Sequence, residues 1–190
     1  MPQSGAVVKA IVAFLLCLAP AVHAEIADST PSGFTVKFSA SLHASPAEVY
    51  QRILRVGDWW SSDHSFSGDA HNLSIDARAG GCFCEKLPDG GTVRHMEVVF
   101  AWPGKLLRLH GGLGPLQGIA VAGPMTFQLK PEQGGTRLDF SYSVSGYTPQ
   151  GVSSWAAPVN EVLGVQFARL KAYVETGSAT PKSGEQRKKQ

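Results

Sequence analysis

The chain has 190 residues, a formal net charge of +2, 43% hydrophobic residues and 17% charged ones. This is the composition of a folding globular protein of about one domain, not of a disordered chain, and no apolar run reaches the ~18 residues that a membrane-spanning helix needs. The basic excess lies at the ends, in Lys9 and in Lys182, Arg187, Lys188 and Lys189; residues 25–176 hold 12 basic and 14 acidic residues, which argues against a nucleic-acid surface on the body of the protein.

Residues 1–24 read as a secretory signal peptide. Lys9 gives a positive start, Ala10 to Ala19 form an apolar run that Pro20 breaks, and Val22-His23-Ala24 places small residues at the −3 and −1 positions before Glu25. A short buried helix is the alternative. The signal reading expects a mature chain from Glu25 that is periplasmic or secreted. Of the three cysteines, Cys82 and Cys84 then remain, in an oxidising compartment. Alternate residues of an extended strand lie near the upper limit of disulfide Cα spacing, so two buried thiols are expected.

Residues 25–33 look like a lead-in. Phe34, Val36, Phe38, Ala40 and Leu42 alternate with mostly polar residues, the pattern of a half-buried strand. Ser45-Pro46-Ala47-Glu48 then combines a capping serine, a first-turn proline and a glutamate that closes a capping box. Val49, Ile53 and Val56 continue as a short amphipathic helix that Gly57 stops. The polar-aromatic stretch Asp58 to Phe66 predicts a second short helix and a loop. Strands are predicted at about 71–77, 82–87, 92–101, 105–110, 123–130 and 136–146, separated by Gly80-Gly81, Pro88-Asp89-Gly90-Gly91, Pro103-Gly104 and Gln133-Gly134-Gly135. Finally Trp155, Val159, Val162, Leu163, Phe167, Leu170 and Val174 fall on one stripe of a helix of about 20 residues, with Pro158 in its first turn or kinking it.

A long helix with one apolar stripe needs a surface to cover, and an antiparallel sheet has one face to offer. The predicted fold class is therefore α+β, a helix-grip with a curved antiparallel sheet of about six or seven strands wrapped around a long C-terminal helix. It forms one domain over residues 34–176, followed by a disordered basic tail at 177–190.

The order of these motifs resembles the SRPBCC (START-like) superfamily. The likeness rests on Ser45-Pro46-Ala47-Glu48-Val49-Tyr50 after the first strand, on Trp59-Trp60, and on Gly80-Gly81 followed by Phe83 and Glu85. It rests also on Pro103-Gly104-Lys105-Leu106-Leu107, on Gly135-Thr136-Arg137-Leu138, and on a last helix ending Arg169-Leu170-Lys171-Ala172-Tyr173-Val174. It spans roughly residues 34–175 and is nearest to the polyketide cyclase-like and Hsp90-ATPase-activator-like branches. The resemblance implies a deep cavity between sheet and long helix, used for an apolar small molecule. The superfamily also holds hydrolases, dehydratases, cyclases and chaperone regulators, so the fold does not fix an activity.

Three constellations can carry chemistry. Trp59, Trp60 and Phe66 offer rigid aromatic surface near the cavity mouth, and Asp63-His64 beside them is a candidate acid/base pair; the plain alternative is that the aromatics plug the sheet and His64 is solvated. If Asp89-Gly90 is a two-residue turn, Cys84 faces His95 and Cys82 faces Glu97, a set that can hold zinc or copper. A one-residue slip breaks that set, and Cys-x-Cys is a poor zinc signature, so no metal is expected. The same face can instead line a pocket, with His95 as its polar group. The glycine-rich segment 111–124 is not a phosphate loop, because it lacks Gly-Lys-Ser/Thr and has Gln117 where a third glycine should stand; it is expected to be either an apolar lid over the mouth or a hairpin connection with an insertion.

The sequence thus predicts an exported binder or carrier of an apolar or aromatic small molecule, with no cofactor, nucleic acid or integral membrane partner. Trp59, Trp60, Phe66, Trp155, Val159 and Leu163 are expected to supply apolar contact, and His95 and His64 the polar anchors. The alternative is a cyclase- or hydrolase-type enzyme using His64 with Asp63, or His95, for proton transfer.

Overall fold

The computed structural model describes residues 23–180, with side chains from Glu25 onward. Residues 1–22, most of the stretch read as a signal peptide, and residues 181–190 of the expected tail lie outside the described residues. The first two strands, β1 (His23–Thr30) and β2 (Gly33–Leu42), form a hairpin. Two short helices follow, α1 (Pro46–Leu54) and α2 (Val56–Trp59). An antiparallel meander then runs through β3 (Leu73–Ile75), β4 (Cys82–Lys86), β5 (Thr92–Trp102), β6 (Leu106–Gly111), β7 (Ala120–Glu132) and β8 (Gly135–Tyr147). The long helix α3 (Ala156–Thr176) ends the fold and stops at Gly177, whose φ of 77° is the left-handed cap that glycine adopts without cost.

The eight strands form one sheet in the order β1-β2-β8-β7-β6-β5-β4-β3. The α1–α2 segment therefore carries the chain from one half of the sheet to its far edge. The meander returns until β8 pairs with β2, Leu42 facing Thr136 and Gly33 facing Ser145. This is the predicted helix-grip with one strand more than the upper expectation. The extra strand is β1, in the stretch read as a lead-in. Residues 25–30 are all exposed, so no apolar alternation marks them; they are held by the backbone ladder to β2 and by a turn in which Thr30 Oγ1 donates to Gly33 O at 3.1 Å.

Period-2 alternation buries Phe34, Val36, Phe38, Ala40 and Leu42 of β2, with Leu138, Phe140, Tyr142 and Val144 of β8, on the face that α3 covers. Aromatic packing closes the middle of this layer. Phe38 stacks on Phe167 of α3 at 5.6 Å between ring centroids, and Phe127 meets Phe140 edge-on at 4.9 Å. Each such pair adds about 1 kcal/mol beyond the area it buries.

The β4–β5 hairpin departs from the expected register. Cys82 faces Glu97 as predicted, but Cys84 faces Arg94, because a bulge on β5 inserts His95 as an extra residue. His95 and Met96 consequently both turn inward and are buried. The bulge breaks the Cys82–Cys84–His95–Glu97 set, and among the described residues no group of three His, Cys, Asp or Glu is placed to hold a metal ion. Cys82 and Cys84 are joined in a disulfide with Cα atoms 5.4 Å apart, well inside the bridging range. The two buried thiols expected from ideal strand spacing are therefore corrected, since this strand is contracted at that point.

Two predictions follow from local structure. The α1 cap is a complete capping box, with Glu48 N–H donating to Ser45 Oγ and Ser45 N–H donating to Glu48 Oε2 at 2.9 Å. Ser45→Ala is expected to lower stability by about 1 kcal/mol in urea unfolding with an unchanged m-value. Alkylation of the unfolded, unreduced protein is expected to leave the peptide containing Cys82 and Cys84 unmodified until a reductant is added.

Candidate functional site

The aromatic seam fills only the C-terminal half of the space under α3. Toward its N-terminal half lies a cavity of about 310 Å³. Helix α3 contributes Pro158, Val159, Val162 and Leu163 to its wall, and Trp155 just before it adds a fifth residue; the sheet contributes Leu73, Phe83, His95 and Tyr142. The rest comes from two connections. One is the mouth loop after α2, with Trp60 and residues 63–66, and the other is residues 113–116 between β6 and β7. Val159 and Val162 are half-buried, unlike the fully packed Phe167 and Leu170 one and two turns further on.

The mouth loop is anchored on α3 by three polar side chains. Arg169 donates from Nε to Trp59 O at 2.8 Å and from a terminal nitrogen to Trp60 O at 3.2 Å, satisfying carbonyls at the C-terminus of α2. Tyr173 Oη donates to Asp58 Oδ2 at 2.6 Å. Gln166, itself buried, accepts from Ser61 N–H at 2.8 Å, so its amide nitrogen is the donor to His64 Nδ1 at 2.9 Å. Of these anchors, Arg169 and Tyr173 figured in the sequence only within the last-helix motif, without this role, and Gln166 was not singled out, although Gln166 and Arg169 are polar interruptions beside an apolar stripe.

At the sheet side the loop is anchored by Glu85, whose side chain has no solvent exposure. Its carboxylate accepts from Ser67 N–H at 2.6 Å, Phe66 N–H at 3.1 Å and His95 Nε2 at 2.9 Å. Burial pushes the Glu85 carboxyl up, but the donors from Ser67, Phe66 and His95 together outweigh it and hold the group below its ordinary value. Burial pushes His95 down, and its bond to Glu85 recovers only part of that, so the ring is neutral at pH 7. Because an ionised carboxylate only accepts, the ring proton sits on Nε2 and Nδ1 presents a lone pair. Nδ1 is buried and has no partner. Phe66 lies parallel to the imidazole at 5.7 Å, and Phe83 lies on it at 5.1 Å.

Seven of the eight predicted ligand contacts line this cavity: Trp60, His64, Phe66, His95, Trp155, Val159 and Leu163. Trp59 does not. It is buried beneath Trp60, donates Nε1–H to Ile53 O at 3.2 Å, and borders only a void of about 10 Å³ in the aromatic core. Trp59 ends α2 and points into the aromatic core, whereas Trp60, just past the helix, reaches the cavity. Asp63 and His64 reach the mouth, but His64 takes its hydrogen bond from Gln166, and its Nδ1 is not held by Asp63. The hydrogen-bonded carboxylate–imidazole pair at this cavity joins Glu85 with His95, the other histidine singled out in the sequence. Its signal was present: period-2 alternation puts Phe83 and Glu85 together, and a glutamate on an apolar face is a charge that needs a partner.

The segment 111–124 is half strand and half connection. Residues 120–124 belong to β7, and Gly114–Gly118 form one 3-10 turn that buries Leu116. Tyr142 fixes its start, donating to Gly111 O and accepting from Leu113 N–H, both at 3.0 Å. Burial pushes this phenol up to about 12, so it stays protonated as a donor. Residues 113–116 of the segment thus line one side of the cavity, and the segment is pinned at its base.

Solved structures share this fold. A conserved protein from Enterococcus faecalis superposes with a TM-score of 0.58 at 18% identity, covering 85% of this chain and 81% of its own. The Aha1 dimer from Colwellia psychrerythraea gives 0.54 at 19% identity, over 75% of this chain and 97% of that one. CalU16 from Micromonospora echinospora gives 0.55 at 14% identity, over 86% and 88%. At these identities the likeness is one of fold. No family model matches the chain, and no curated protein matches it.

The two depressed titrations have a common consequence for stability. Above an ordinary histidine value of 6.5, neither folded nor unfolded chain protonates His95; below it the unfolded chain takes up the proton first, so stability falls as pH falls toward the folded value. Glu85 repeats this below its ordinary 4.5. Thermal unfolding is expected to show a lower Tm at about pH 5.5 than at about pH 7.5, with a smaller drop in His95→Phe/Glu85→Gln, which removes both groups.

Proposed function

We propose that this protein binds one apolar or aromatic small molecule between its sheet and the N-terminal half of α3, as an SRPBCC-like carrier or sensor. The observation that carries the reading is the cavity itself. Its wall is almost wholly aromatic and aliphatic, and its volume of about 310 Å³ lies at the lower end of the range for small-molecule pockets. An apolar cavity of ~150 Å³ accommodates benzene, so this one suits a compact molecule of about two rings. The fold likeness to the Aha1 dimer and CalU16 is compatible with this reading. An exported location is part of the proposal and rests on the N-terminal residues alone.

A second reading is an enzyme of cyclase or hydrolase type in which His95, oriented by Glu85, moves a proton. The buried pair at 2.9 Å favours it, because a neutral imidazole held by a carboxylate has a general base's geometry.

Native mass spectrometry of the protein purified from the cells that make it is expected to show a stoichiometric organic mass absent from the denatured spectrum. Val159→Trp, which fills the cavity from α3, is expected to lose that mass while keeping the circular dichroism of the wild type. A clean native spectrum, together with no calorimetric binding of naphthalene, overturns the binding reading. A mass that changes on incubation with the protein moves the assignment to the enzyme.

A further inference from the structure

Building on the binding reading, we propose that His95 Nδ1 is the acceptor for a hydrogen-bond donor on the ligand, so that the cavity selects uncharged hydroxylated aromatics over their ethers and over carboxylates. Four buried side-chain atoms among the described residues lack a partner: Tyr50 Oη, His95 Nδ1, Thr148 Oγ1 and Asn160 Oδ1. Of these residues only His95 lines the cavity. A buried acceptor without a partner is costly to the fold, and such atoms in native proteins call for a functional explanation.

Of the other polar wall groups, Asp63 and His64 stand at the mouth, Ser65 Oγ donates to Ser62 O at 2.8 Å, and the two deeper ones are already committed. Trp60 Nε1–H donates to His64 O at 2.9 Å, and the Tyr142 hydroxyl makes two bonds to the backbone at 3.0 Å. His95 itself cannot turn over to offer a donor instead. Glu85 accepts only, and it is held by two backbone N–H groups besides the imidazole, so the Nε2 proton stays where it is. What remains for a ligand in the depth of the cavity is a lone pair.

Charge supplies the second half of the selectivity. Among the described residues no Lys or Arg lines the cavity; besides the protonated Tyr142 phenol the ionisable wall residues are His64, His95 and Asp63, with the Glu85 carboxylate directly behind His95. An anion entering here loses its hydration, meets no cation, and approaches a buried negative charge. A neutral hydroxyl meets the lone pair that this charge polarises, which strengthens the bond. Phe66, exposed at the mouth and stacked parallel on the imidazole, is the side chain that yields to admit the ligand to the ring.

The test uses four two-ring probes in calorimetry on the wild-type protein: naphthalene, 2-naphthol, 2-methoxynaphthalene and 2-naphthoate. 2-Naphthol is expected to bind about tenfold more tightly than 2-methoxynaphthalene, which keeps the oxygen and loses the donor, and 2-naphthoate more weakly than either. The double variant Glu85→Gln/His95→Phe, which leaves no buried charge unpaired, is expected to bind naphthol and its ether within about twofold of each other. Equal wild-type affinities for naphthol and its ether overturn this proposal and leave the binding reading intact. So does naphthoate binding most tightly, or a preference for naphthol that survives in the folded double variant. Failure of all four probes to bind overturns this proposal, and only together with a clean native spectrum does it remove the binding reading as well.

Discussion

A single carboxylate organises the working end of this molecule. Glu85 is on the inner face of β4, where a charge is tolerated only if its oxygens are fully engaged. Two of its donors come from the backbone of the mouth loop, at Phe66 and Ser67, and the third from His95 on the neighbouring strand. The same group therefore fixes where the loop closes, which way the imidazole faces and which of its nitrogens carries the proton. The bulge in β5 is what makes this possible, since without the extra residue His95 would stand beside Cys84 on the outer face. A local irregularity in one hairpin and a buried charge in its partner strand are thus one device.

Helix α3 does two different jobs along its length. Its C-terminal half is core, with Phe167 among the sheet phenylalanines and Gln166, Arg169 and Tyr173 tying the helix to residues 58–64. Its N-terminal half has fewer partners and roofs the cavity instead. Anchoring one half so firmly is what lets the other stand away from the sheet without collapsing onto it. The protein keeps a hollow because the cohesion lost there is supplied by the aromatic seam beside it.

Much of this was legible from residue patterns. The capping box at Ser45, the alternation in β2 and β8 and the stripe from Trp155 to Leu170 each obey one local rule, and the architecture follows from their order. What escaped was set by partners distant in the chain. Residues 25–30 of β1 are exposed and are strand only because β2 offers an edge. The inward turn of Trp59, unlike Trp60, depends on where α2 meets the core. The bulge at His95, and with it the Cys82–Cys84 disulfide, changes a face assignment that ideal strand geometry gives otherwise. Glu85 had the chemistry of a site residue but became one only when the loop donors arrived.

The pairing of β2 with β8 has a consequence for how the molecule comes into being. Every other antiparallel contact in the sheet joins strands that are consecutive in the chain, and such hairpins close at little entropic cost. β2 alone must wait for a partner on the far side of the whole meander, because Leu42 meets Thr136 only after all the intervening strands have been laid down. Long-range closures of this kind are slow steps in assembly. Helix α3 rests on β2 through Phe38 and cannot settle before that strand is seated. The hollow under the helix is thus among the last features of the native state to form, and the chain must be nearly complete before that space exists.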